Sequence, residues 1–173
     1  MNLSPQDVLL ILFVIVCAVT DLKKRKIYNI ATFPAIILGL GLNGIYNGFA
    51  GLKESALGVL VGFLMLYFFY LGGGIGAGDV KFLMGVGALK GTSFVFQSAI
   101  CGILLSGIVV IFWMFFHGTL LKSLKNIIFP LFTSAMSGFK VSPLPKTKSP
   151  ALPFGFYLAT GILIYFFYIK FVV

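Results

Sequence analysis

The sequence predicts an all-α, polytopic membrane bundle of six transmembrane helices with its N-terminus outside, and three observations carry that expectation. Hydrophobic residues make up 60% of the 173 positions and charged residues only 10%, too little polar surface to clothe a soluble domain. Apolar runs fall at about 8–22, 30–47, 55–71, 80–90, 93–116 and 151–169, most of them reaching the ~17–25 residues that span a ~30 Å hydrocarbon core. The cations are also divided unevenly between the loops. If every run crosses, Lys23, Lys24, Arg25, Lys26, Lys81, Lys122, Lys125, Lys140, Lys146 and Lys148 share one side, and only Lys53, Lys90 and Lys170 the other. The positive-inside rule makes the first group cytoplasmic.

Each element follows in turn. The first run has no basic segment before it and no small-residue cleavage site after it, so it reads as a retained helix and not a signal peptide. The run 80–90 is short: eleven residues rise only ~17 Å. With Lys90-Gly91 at the outer boundary, Asp79 then lies below the headgroups, in protein. A re-entrant 80–90 would move the basic loop 118–149 outside, and the charge bias argues against that. Within this loop Leu120, Leu121, Leu124, Ile127, Ile128 and Leu131 recur at helical spacing, predicting an interfacial amphipathic helix ended by Pro130. Residues 137–153, rich in proline and lysine, read as a flexible connector. The whole of 1–173 is expected to form a single membrane-embedded domain.

A net charge of +9 raises the question of nucleic acid, but in such a chain it describes loops facing anionic lipid headgroups. Membrane lipids are the expected partners, and nucleic acid is not. Cys17 and Cys101 lie in apolar runs and read as small core residues. With one histidine and no CxxC, neither a metal site nor a cofactor is expected.

The acids number four: Asp7, Asp21, Glu54 and Asp79. Asp21 and Asp79 fall at cytoplasmic helix ends, Asp7 and Glu54 on the opposite side. Asp21 can be a solvated charge balancing its cationic neighbours, but the helix macrodipole disfavours an acid at a helix C-terminus. Asp79, after Gly78 and before a helix, has good N-cap chemistry. Both readings leave unexplained why such scarce groups sit at membrane depth, where ionisable side chains are costly and usually functional. Two facing carboxylates can share one proton. The ionised member then activates water while the protonated member hydrogen-bonds a substrate carbonyl.

Gly72, Gly73, Gly74, Gly76 and Gly78 precede Asp79, with neither the strand nor the Gly-Lys-Ser/Thr ending of a phosphate-binding loop. Their expected use is close backbone approach, with Gly76 and Gly78 shaping the site as a strand-like stretch beside an extended peptide, aided if either takes a positive φ.

Gly76-Ala77-Gly78-Asp79, followed by Val80-Lys81, resembles the GxGD motif of the type IV prepilin peptidases, a family of membrane aspartic proteases. Asp21 through Ile27-Tyr28-Asn29 resembles the segment with that family's first catalytic aspartate, with Tyr28 in place of the usual proline. Leu152-Pro153-Phe154-Gly155 resembles its final-helix motif. The resemblance implies Asp21 and Asp79 as the catalytic pair, with Asn29, Lys81, Pro153 and Gly155 in support. It also implies prepilin or pilin-like substrates, cut after a short basic leader at the cytoplasmic face of the cell membrane. Larger members carry paired CxxC motifs and N-methylate the product. Without these, the chain resembles the minimal, peptidase-only branch that serves tight-adherence pili, with archaeal preflagellin peptidases a close variant. Two alternatives are a presenilin-like or signal-peptide-peptidase-like intramembrane protease, suggested by Pro150-Ala151-Leu152, and a small proton or ion transporter. The first needs nine spans. The second needs acids near mid-span, whereas both aspartates fall toward one face.

Overall fold

The computed structural model describes residues 3–72, 74–116, 118 and 153–172. Within them the chain forms four helices: α1 (Pro5–Lys24), α2 (Asn29–Leu71), α3 (Ala77–Phe116) and α4 (Phe154–Phe171). All four are long and apolar enough to cross a membrane. The amphipathic helix and connector expected over 120–152 fall outside the described residues.

Local chemistry sets the helix ends. Ser4 caps α1 through a reciprocal box: its Oγ accepts the Asp7 N–H at 3.2 Å, and the Asp7 carboxylate accepts the Ser4 N–H at 2.9 Å. Pro5 takes the first helical position, where its missing N–H costs nothing. The other end closes at Arg25, which turns left-handed (φ 51°) and donates its N–H to the Asp21 carbonyl at 2.8 Å.

Runs 30–47 and 55–71 join into one helix, as do 80–90 and 93–116, but each is broken at a glycine: Gly48 (φ 60°) in α2 and Gly91 (φ 79°) in α3. Both angles suit glycine far better than any L-residue. Contacts show that the chain reverses at these points. Asn29 meets Lys81 and Gly39 meets Ala88, so the first half of α2 runs parallel to the first half of α3. Gly58 then meets Gly87 and Gly62 meets Leu83, so the second half of α2 runs antiparallel to it. Likewise Asp79 lies at Gly155 and Lys90 beside Phe166, whereas Phe94 packs on Tyr165 and Gly102 on Leu158. The halves of α3 therefore run in opposite directions along α4.

Breaking a helix in an apolar surround frees backbone groups that water cannot satisfy. Here side chains of α2 do so. The Ala88 carbonyl accepts from Asn43 Nδ2 at 3.0 Å and from Ser55 Oγ, and the Thr92 N–H donates to Glu54 Oε1 at 2.9 Å. Glycines permit the approach, since a Cβ at Gly39, Gly58 or Gly87 would collide with facing backbone.

The core of the first compact unit (residues 1–106 and 153–173) includes Leu10, Val14, Cys17, Phe82, Leu83, Val86, Leu158 and Ile162. Cys17 and Cys101 are free thiols, the first buried and the second half-buried. The outer surface is hydrocarbon: Ile30 is 85% exposed, Phe49 82% and Phe68 70%, an arrangement stable only against lipid. In the second unit, residues 107–152, the described part of α3 is braced by Phe112 and Phe115 packing on Phe116.

Candidate active site

Asp21 occupies the last turn of α1, where the macrodipole opposes it. Its compensation comes from another helix. α4 starts after Pro153, which has no side chain able to cap it, and Asp21 Oδ2 accepts the Phe156 N–H at 2.9 Å. The acid at the end of one helix thus caps the start of another. Asp21 is buried.

Asp79 lies in the first turn of α3, which begins at Ala77 and not at the expected 80. The aspartate is therefore past the N-cap. Its Oδ2 reaches back to accept the Gly76 N–H at 3.2 Å, and its own N–H donates to the Gly76 carbonyl at 3.1 Å. This is the acidic half of a capping box, and it fixes the carboxylate at the mouth of the helix. Asp79 is half-buried.

The two carboxylates converge on Gly155. A Cβ at that residue would lie 2.8 Å from Asp79 Oδ1 and 3.1 Å from Asp21 Oδ2. Both oxygens thus flank one point beside α4, on side chains supplied by α1 and α3. Among the described residues, neither aspartate forms an ion pair. Such a pair can hold a water between a basic oxygen and an acidic one.

The supporting residues divide. Lys81 Nζ donates to Asn29 Oδ1 at 2.9 Å and lies 5.3 Å from the Phe33 ring centre. That ties the start of α3 to the start of α2. Pro153 ends the connector and starts α4. Gly155 is the point of closest approach.

The glycines need correction. Neither Gly76 nor Gly78 has a positive φ, and Gly78 lies within the first turn of α3 instead of in a strand-like stretch. The bare Cα of Gly78 faces Ile27, whose Cβ and carbonyl oxygen would stand 3.1 and 3.3 Å from an added Cβ. At Gly78 the closely approaching chain is the protein's own α1–α2 link. The Phe156 N–H is a part of the site that sequence reasoning missed, since a backbone amide leaves no mark in composition. Ile27 was visible as a residue of the Asp21-to-Asn29 segment, but its contact with Gly78 was not.

Fold and site together define a multi-pass helical membrane protein with a carboxylate pair assembled from separate helices at one end of the bundle. Residues 8–121 match the model of the type IV leader peptidase family, and the chain belongs to that family. The match includes Asp21, the glycine run and Asp79, but not Pro153 or Gly155. The chain is also similar to a preflagellin peptidase of Methanocaldococcus jannaschii, 34% identical over 83 residues, which are 43% of this chain and 33% of the relative. It thus spans about a third of that relative's length. No solved structure matches the chain.

Proposed function

We propose that the protein is an aspartic endopeptidase that removes the short basic leader of pilin-like or flagellin precursors, using Asp21 and Asp79 and no metal or cofactor. The convergence of both carboxylates on Gly155 carries this reading. One carboxylate takes a proton from the attacking water, and the other, protonated, hydrogen-bonds the scissile carbonyl oxygen. Addition gives a tetrahedral gem-diol. Breakdown cleaves the C–N bond as a proton passes from the pair to the departing amine nitrogen. The relative's printed name favours flagellin-type precursors beside pilin-like ones.

The same reading holds that each half of α2 and α3 crosses the membrane, giving six crossings with the N-terminus outside and the carboxylate pair at the cytoplasmic face of the cell membrane. The reversals at Gly48 and Gly91 and the basic run Lys23–Lys26 beside Asp21 support it. Leader removal without N-methylation by these residues fits a sequence with no CxxC pair.

The test is cleavage of a synthetic precursor, carrying its leader and apolar helix, by purified protein in detergent. Asp21→Asn and Asp79→Asn should each lower turnover by about 10³-fold or more while the protein remains folded, since neither carboxylate works without its partner. Normal turnover by either variant would refute the assignment.

A further inference from the structure

Between α1 and the first half of α2 runs an apolar groove of about 240 Å³, lined by Leu12, Phe13 and Val16 on one wall and Ile30, Pro34 and Leu38 on the other. The catalytic reading does not use it. Pro34, inside α2, contributes to the second wall, and its missing N–H deprives the Ile30 carbonyl of the usual helical donor. The walls are hydrocarbon, and the groove lies open along the outer surface: Leu12, Val16, Ile30 and Leu38 are all exposed. From Ile30 to Leu38 the groove extends about 12 Å along the helix.

One end of this groove meets the link that joins its two walls. The last turn of α1 and that link carry Lys23, Lys24, Arg25 and Lys26, all exposed, and Ile30 follows four residues after Lys26. Lys24 Nζ lies 5.7 Å from the ring centre of Tyr28, two residues before Ile30. Among the described residues, none of the four forms an ion pair. The outer surface therefore offers a hydrocarbon slot with a cluster of cations at its mouth.

We propose that this groove holds one acyl chain of an anionic phospholipid, whose headgroup is bound by Lys23, Lys24 and Lys26. A helix is about 10 Å across with its side chains, so a substrate helix would lie over a slot of this volume and could not enter it. A single extended chain fits. Charge decides the rest, because basic groups beside a membrane attract anionic headgroups. The inference rests on the membrane setting and not on the peptidase reading, and it is read by lipid binding, so the two can fail separately.

The test is native mass spectrometry of delipidated protein titrated with dioleoylphosphatidylglycerol or dioleoylphosphatidylcholine in a mild detergent. One phosphatidylglycerol should be retained about tenfold more tightly than phosphatidylcholine. The triple variant Lys23→Gln, Lys24→Gln, Lys26→Gln should bring the two lipids level. Ala31 also lines the groove, so Ala31→Phe should fill it and weaken both, and Leu12→Trp on the exposed rim replaces it if the first variant unfolds. Glycerol phosphate, a headgroup without a chain, should not compete. Equal affinity of the native protein for the two lipids would overturn the proposal. So would a phosphatidylglycerol preference that survives the triple variant, or a folded groove-filling variant that binds it normally. Displacement of the lipid by glycerol phosphate would reassign the cations to a free anion. Displacement by an isolated apolar helical peptide would assign the groove to a substrate helix.

Discussion

Gly155→Ala perturbs the carboxylate pair most directly. An added Cβ would stand 2.8 Å from Asp79 Oδ1, 3.0 Å from Ile27 Cδ1 and 3.1 Å from Asp21 Oδ2, whereas ordinary contact begins at 3.4 Å. Both carboxylates must therefore retreat by a few tenths of an ångström, Asp79 the further. Misplacement by ~1 Å can cost about 10²-fold in rate, so smaller shifts of two cooperating groups should cost roughly 10- to 100-fold in kcat. Stability should change little. Alanine gains up to about 1 kcal/mol over glycine in a helix, and strain on the Asp21–Phe156 hydrogen bond loses a comparable amount. The assay is steady-state cleavage of a synthetic precursor in detergent, with the thermal unfolding midpoint measured in parallel. Gly72→Ala is the control: φ is −71° and the nearest atom to its added Cβ is 3.6 Å away, so both readouts should stay native. A folded Gly155→Ala enzyme with native kcat would refute the convergence of the two aspartates at α4.

Gly78→Ala should be milder than Gly155→Ala, lowering kcat by several-fold at most, because Ile27 need give way by only a few tenths of an ångström; a loss as large as that of Asp79→Asn would mean that Gly78 faces substrate. Asp7→Asn should act on stability. Asp7 is buried and ion-paired with Lys90 at 2.6 Å and Lys170 at 3.1 Å, and removing its charge should cost about 1–3 kcal/mol, with the lysines' partial exposure softening the loss; thermal unfolding in detergent checks it, and an unchanged midpoint would refute it. In a cysteine-free background, cysteine at Lys24 should react with impermeant maleimide only from the cytoplasm and cysteine at Lys53 only from outside; labelling of both from one side would refute six crossings.

What could be read from the sequence was whatever the membrane dictates directly. Apolar runs gave the helices because lipid demands apolar surface, and scarce acids marked the candidate site because burying them is costly. Helix ends were harder. The run 80–90 begins where the residues become apolar, but α3 begins at Ala77, because Asp79 turns back onto the Gly76 N–H and draws those residues into the helix. The turns at Gly48 and Gly91 were equally obscure. A positive φ favours glycine, but glycine does not announce it: this chain has 21, and Gly76 and Gly78, closest to the proposed chemistry, lack it. Their conformation is set by what packs against them.

The two ends of the bundle hold their carboxylates in different ways. Asp7 is clamped: two ammonium groups and the amino end of α1 occupy its oxygens. Glu54 is also committed, accepting both the N–H and the hydroxyl of Thr92 where α3 is broken. These groups hold Gly91 and the helix ends in place, and a carboxylate so engaged has little room for a further proton or ligand. Asp21 and Asp79 are held differently, each by a backbone amide at a helix start and, among the described residues, neither by an ion pair. Amide anchoring fixes a carboxylate's position and leaves it lone pairs to spare. Both carboxylates can approach α4 at this point because Gly155 has no side chain to keep them away.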